Sequence, residues 1–124
     1  MDTRLGVKGL IVRDGTFLVL VKPNGRFDLP GGRVKPDESL THALYREIME
    51  ETGISASIKN LITQWTFINK VNLVINGFTY GCKYQKGKIR LSPEHVSYFW
   101  APFISLDHLD LKPSANMDSQ LIHV

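Results

Sequence analysis

The 124-residue chain has a single cysteine, Cys82. One thiol excludes an intrachain disulfide and a cysteine-built zinc site, and makes a reducing, cytoplasmic setting the expectation. Long hydrophobic runs are missing as well. No apolar stretch nears the roughly 18 residues that a membrane-crossing helix needs, so no membrane partner is expected. The start, MDTRLGVKGLIV, is charged early and lacks a small-residue cleavage site, so it does not read as a secretion signal. Strong charge of one sign is also lacking. The formal net charge is +3, and the basic residues are scattered rather than banded. That suits small anionic ligands and gives no argument for a nucleic-acid surface. There are no repeats, low-complexity tracts or linkers. What remains is 43% hydrophobic and 22% charged, an ordinary globular composition that suits one domain over residues 1–124.

The first third reads as strands. Residues 5–12 and 16–22 flank Asp14-Gly15, a strong hairpin signal. Asn24-Gly25 marks a second turn before a short strand at 26–30, and Gly31-Gly32 is expected to break regular structure. From Ser39 to Thr52 the pattern turns helical, with Ser39 placed to cap the start and Gly53 to stop the end. The segments ISASI, LITQWTFI and VNLVINGFTYGCKYQ follow, rich in β-branched and aromatic residues. A last strand is expected at 95–103, then a helical turn at SLDHLD. Strands, one central helix and more strands predict an α+β or mixed α/β fold.

The helix carries a puzzle. Residues 46–53 read REIMEETG, with Glu47, Glu50 and Glu51 within one turn. Like charges at this spacing cost about 0.2–0.5 kcal/mol per pair. At about 100° per residue, with Glu47 as zero, Leu40 falls at about 20°, Glu51 at about 40°, Leu44 at about 60° and Ile48 at about 100°. Glu50 falls at about −60°, while His42, Tyr45, Met49 and Thr52 take the opposite side. The glutamates thus continue the apolar stripe that should face the sheet. Charges there must be neutralised or coordinated. One guanidinium, Arg46, cannot compensate three carboxylates. A hard divalent cation such as Mg²⁺ can.

The wider stretch, GGRVKPDESLTHALYREIMEETGI, resembles the Nudix box. Gly32 is followed after five residues by Glu38, and after seven more by Arg46-Glu47-Ile48-Met49-Glu50-Glu51-Thr52-Gly53-Ile54. A chance match of the seven fixed residues is on the order of 10⁻⁸ per window at ordinary residue frequencies. The resemblance implies a Nudix fold, with a mixed β-sheet sandwiched between helices and a box loop and helix carrying a metal site. It implies Mg²⁺- or Mn²⁺-dependent hydrolysis of a nucleoside diphosphate linked to another group. A nucleoside triphosphate, oxidised or not, is the favoured substrate, with NMP and pyrophosphate as products. It also implies that Glu50 and Glu51 are metal ligands and that Glu47 is a further ligand or the general base. Arg46 would orient Glu47 through a bidentate contact. Glu38 would be a supporting carboxylate, and the Gly31 carbonyl a metal contact.

Outside the box, Glu94 stands six residues before Trp100. The resemblance makes it an additional metal-binding or basic glutamate. Asn116, in KPSANMD, is similar to the base-reading asparagine of MutT-type members. Arg26 and Arg33 are candidate phosphate contacts, with Lys22 beside them in the same role. Among the strand aromatics, which belong mostly to the core, Tyr80 is a candidate for stacking on a base. No histidine has a ligand-like partner in the sequence. The alternatives are a nucleotide-sensing module without catalysis, and a hydrolase of nucleotide sugars or ADP-ribose. The sequence leaves homodimerisation open.

Overall fold

The structure, a computed structural model, describes residues 3–109 and 111. Among these residues nine elements succeed one another. Strand β1 spans Thr3–Arg13, β2 Thr16–Val21, β3 Phe27–Asp28 and β4 Gly31–Arg33. Helix α1 spans Leu40–Thr52. Strands β5 (Ser55–Ile68), β6 (Val74–Lys86) and β7 (Ser97–Pro102) follow, then a 3-10 helix at Phe103–His108. The strands form one mixed sheet in the order β3-β2-β1-β6-β5, with β4 also on β1 and β7 also on β2. Among the described residues β1 and β6 run parallel and the other pairings are antiparallel. This is the expected mixed α/β architecture.

Local sequence explains the elements. Asp14 and Gly15 both hold positive φ, 49° and 75°, as a tight hairpin between right-twisted strands requires. The Ser39 hydroxyl accepts from the His42 N–H at the start of α1, and Gly53 closes the helix in the left-handed region with its N–H on the Met49 carbonyl.

Alternation along β1, β2 and β6 fills both faces of the sheet. Val7, Ile11, Leu18, Leu20 and Cys82 pack against Ala43, Leu44 and Ile48 of α1. On the other face Leu10, Phe17, Val19, Leu29 and Ala101 are covered by Leu106, Leu109 and Leu111, in and after the 3-10 helix. The sheet thus lies between α1 and the 3-10 helix.

Four local expectations are corrected. Gly31-Gly32 does not break the regular structure: it forms β4, paired with Gly6–Lys8 of β1. The two segments expected at 54–58 and 61–68 are one strand, Ser55–Ile68, because register shifts along its pairing with β6 absorb the irregular pattern. The last strand starts at Ser97, and His95 precedes it, buried in an otherwise exposed turn. Thr52 is fully buried rather than on the outer side of α1. Its hydroxyl donates to the Ile48 carbonyl, so the helix can bury it at no unpaired polar cost.

Candidate active site

Pairing of β4 with β1 sets the strand beneath the C-terminal half of α1. The three glutamates of the helix then take graded positions. Glu51 is 2% exposed. The Glu47 side chain is 16% exposed and that of Glu50 is 56% exposed. The inward reading therefore holds for Glu51 and at the rim for Glu47, and fails for Glu50. The buried stripe centres on Leu44, Ile48 and Glu51, which leaves Glu50 one step outside it.

Arg46 gathers the outer carboxylates. Its Nε and Nη2 donate to Glu38 at 2.6 and 2.9 Å, and its Nη1 donates to Glu47 at 3.0 Å and reaches Glu50 at 3.2 Å. Nη2 also donates to the Arg33 carbonyl at 3.0 Å, tying the helix to β4. The bidentate partner of Arg46 is thus Glu38, not Glu47 as expected. The fork needs a carboxylate facing it in plane, and Glu38 approaches from the preceding loop while Glu47 is the adjacent helical residue. Hydrogen bonding to Arg46 holds the Glu38 carboxyl down at about 2. Burial pushes Glu47 above the usual carboxylate value, against the opposing pull of Arg46.

Deeper in lies a second network that sequence reasoning missed. Lys8, buried in β1, donates to Asp28 Oδ1 at 2.9 Å and to the Leu29 carbonyl at 3.0 Å. The other Asp28 oxygen is 3.0 Å from His95 Nε2. Burial raises the Asp28 carboxyl, but Lys8, His95 and Lys22 together outweigh it and hold it well below the ordinary value. Asp28 is therefore an ionised acceptor, and His95 Nε2 donates to it. The opposite ring atom, Nδ1, stands 4.0 Å from Glu51 Oε2. That is too long for a hydrogen bond. Both atoms are buried and have no hydrogen-bond partner among the described residues. The other Glu51 oxygen, Oε1, accepts from the Gly31 N–H at 2.7 Å. Burial pushes the Glu51 carboxyl well above its usual value, against the pull of Lys8 and of the Gly31 N–H.

A signal for this network did exist. Lys8 and Asp28 sit inside apolar strand runs, where a charge demands a buried partner. Nothing local pairs residues 20 and 67 positions apart.

One ligand atom each from Glu51, Glu94 and His95 lie within 4.8 Å of one another. Glu94 also acts on Glu47 electrostatically. Two hard carboxylates, one of them with an unpartnered buried oxygen, and an imidazole nitrogen suit a divalent cation.

The remaining candidates are scattered. Gly32 lies against the Glu47 carboxylate, and Arg33 is half-buried beside it. Arg26 is in the exposed turn before β3, where its carbonyl accepts from the Lys22 N–H. Tyr80 is half-buried against the core under α1. Asn116 lies outside the described residues.

The chain is similar to known proteins along most of its length. The family model of the NUDIX domain matches residues 2–122. A nucleoside triphosphatase, NudI, of Escherichia coli is 30% identical over 90% of each chain. A CTP pyrophosphohydrolase of Escherichia coli is 42% identical over a shorter stretch, 42% of each chain. The crystal structure of a MutT protein from Methanosarcina mazei superposes with a TM-score of 0.79 at 30% identity, covering 94% of this chain and 89% of that one.

Proposed function

The chain belongs to the NUDIX family of pyrophosphohydrolases, and on that premise we propose that it hydrolyses nucleoside triphosphates to a nucleoside monophosphate and pyrophosphate, as a single domain in the cytoplasm. The observation that carries the metal-dependent reading is the buried, unpartnered oxygen of Glu51, 4.0 Å from His95 Nδ1 in a group that Glu94 completes. The triphosphate assignment leans on the nucleoside triphosphatase relative, whose match is nearly full length.

In this reading Glu47, Glu50, Glu51, Glu94 and the Gly31 carbonyl would hold Mg²⁺ or Mn²⁺, which when bound would supply charge neutralisation to the pyrophosphate. Glu47 sits at the rim, where water can reach it. Its raised carboxyl makes it a better proton acceptor from that water than an ordinary exposed glutamate, which suits a general base. Glu94 acts on the same carboxylate and shares that work. Arg46 fixes the direction of Glu47 while its fork is braced by Glu38, so both act by positioning. Arg33, next to this cluster, and Arg26 contact phosphate; Tyr80 and Asn116 contact the base.

The test is a panel of nucleoside triphosphates, nucleotide sugars and dinucleotides with Mg²⁺, assayed for pyrophosphate and phosphate. The expected result is pyrophosphate from at least one triphosphate, with Glu51→Gln slower by on the order of 10²–10⁴ in kcat. Wild-type turnover by that variant would sink the metal reading. Turnover of none of the panel would leave a nucleotide-sensing module, and turnover confined to nucleotide sugars would move the substrate class.

A further inference from the structure

We infer that His95 Nδ1 is a ligand of the divalent cation beside Glu51 and Glu94, oriented for that task by the Asp28–Lys8 pair. This rests on the metal reading above and extends it to a nitrogen donor and to the ion preferred.

The tautomer is the first step. Lys8 keeps Asp28 ionised at 2.9 Å, so Asp28 has only lone pairs to offer. His95 Nε2 must then carry the proton that bridges the 3.0 Å gap. In the neutral ring this leaves a lone pair on Nδ1.

The direction of that lone pair is the second step. The ring is fully buried, with 0% of its side chain exposed, so no bulk water satisfies Nδ1. Nothing among the described residues donates to it. The atom ahead of it is Glu51 Oε2, itself buried and unpartnered among the described residues, and an acceptor only once the carboxyl is ionised. The 4.0 Å between the two atoms is too long for a proton to bridge, so an ionised Glu51 and the Nδ1 lone pair repel unless a larger cation lies between them. A cation shared by both atoms and by Glu94 resolves this.

The surroundings are the third step. A metal-binding histidine commonly donates its other ring N–H to a carboxylate, which fixes the ring and raises its basicity. Asp28 accepts that proton here, and Lys8 holds Asp28 in turn, itself anchored by a second hydrogen bond to the Leu29 carbonyl. A ligand set with an imidazole nitrogen favours Mn²⁺ and Co²⁺ over Mg²⁺, which takes oxygen donors almost alone.

The deciding experiment is electron spin-echo spectroscopy of the full chain loaded with Mn²⁺, without nucleotide. Protein with ¹⁴N-histidine is compared with protein carrying ¹⁵N-histidine. A directly bound histidine nitrogen is expected, its modulation changing with the isotope and vanishing in His95→Gln. Asp28→Asn should keep the coupling and weaken Mn²⁺ binding by about 10- to 100-fold. Mn²⁺ bound without nitrogen coupling in the wild type overturns the inference, as does coupling that survives in His95→Gln, or no Mn²⁺ binding at all. Where His95→Gln does not fold, the same isotope comparison on a variant with His42, His108 and His123 all replaced by Gln, which leaves His95 as the one histidine, decides instead. The two readings separate cleanly: triphosphate hydrolysis without nitrogen coupling leaves the proposed reaction standing and removes His95, whereas coupling without hydrolysis does the reverse.

Discussion

Arg46 is the residue on which the outer carboxylates converge. Its planar fork engages Glu38 at two points, and one further nitrogen serves Glu47 and Glu50. A lysine has no fork and cannot reproduce this geometry. Arg46→Lys is expected to cost about 2 kcal/mol of stability, the scale of lost charge-assisted hydrogen bonds, and to lower kcat by leaving Glu47 misdirected. The cost has a pH signature. Glu38 titrates at about 2 in the fold against an ordinary 4.5, a depressed carboxyl. Its stabilisation is complete above the unfolded value and is lost as pH falls from 4.5 toward 2. The deficit of Arg46→Lys should therefore shrink over that window. Urea unfolding at several pH values checks this, and a deficit that stays constant would mean that Arg46 stabilises by packing alone.

At the scale of elements, the segment that builds the site is β4. Its two glycines read as a break because glycine is usually an interruption in a strand. In the fold they serve a close approach instead, and for different reasons. A Cβ on Gly31 would collide with the Val7 carbonyl oxygen and lie 2.8 Å from Lys8 Cα, on a residue whose φ of 150° favours glycine. A Cβ on Gly32 would meet the end of the Glu47 side chain, with the carboxyl carbon at 2.8 Å. The first collision is with backbone, which cannot yield. The second is with a side chain, which can. Gly31→Ala is thus expected to destabilise the fold by about 2–4 kcal/mol. Gly32→Ala should stay within about 1 kcal/mol of wild type while kcat falls on the order of 100-fold, because Glu47 is pushed off its position. Thermal melts and turnover of both variants check the pair. Equal stability losses would mean that Gly32 also supports the sheet, and full turnover by Gly32→Ala would remove Glu47 from the site.

Across the whole molecule, local signals were legible and long-range ones were not. Ser39 and Gly53 bounded α1 correctly because caps are contacts within a few residues. The burial of Glu51 was legible for a similar reason, since helical phase alone turns it inward. The Lys8–Asp28–His95 chain was not, because its members come from β1, β3 and the turn before β7, which only the assembled sheet brings together. That chain ends on Glu51, and there stability and function oppose each other. A buried carboxylate with one unpaired oxygen weakens the metal-free fold. Its raised carboxyl makes the effect run opposite to that of Glu38: stability is lost as pH climbs above the ordinary carboxylate range. Glutamine at this position keeps an oxygen for the Gly31 N–H and turns an amide donor toward His95 Nδ1. Glu51→Gln should therefore raise the metal-free stability by about 1–3 kcal/mol. It should also flatten the pH dependence above that range. Divalent ion at a hundredfold excess over its Kd should stabilise the wild type by about 2.7 kcal/mol and the variant by far less. Melts with chelator and with Mn²⁺ give all four states. A variant that is less stable than wild type in chelator would mean that the Glu51 charge is itself part of the fold, held by Lys8, rather than a burden relieved by the ion.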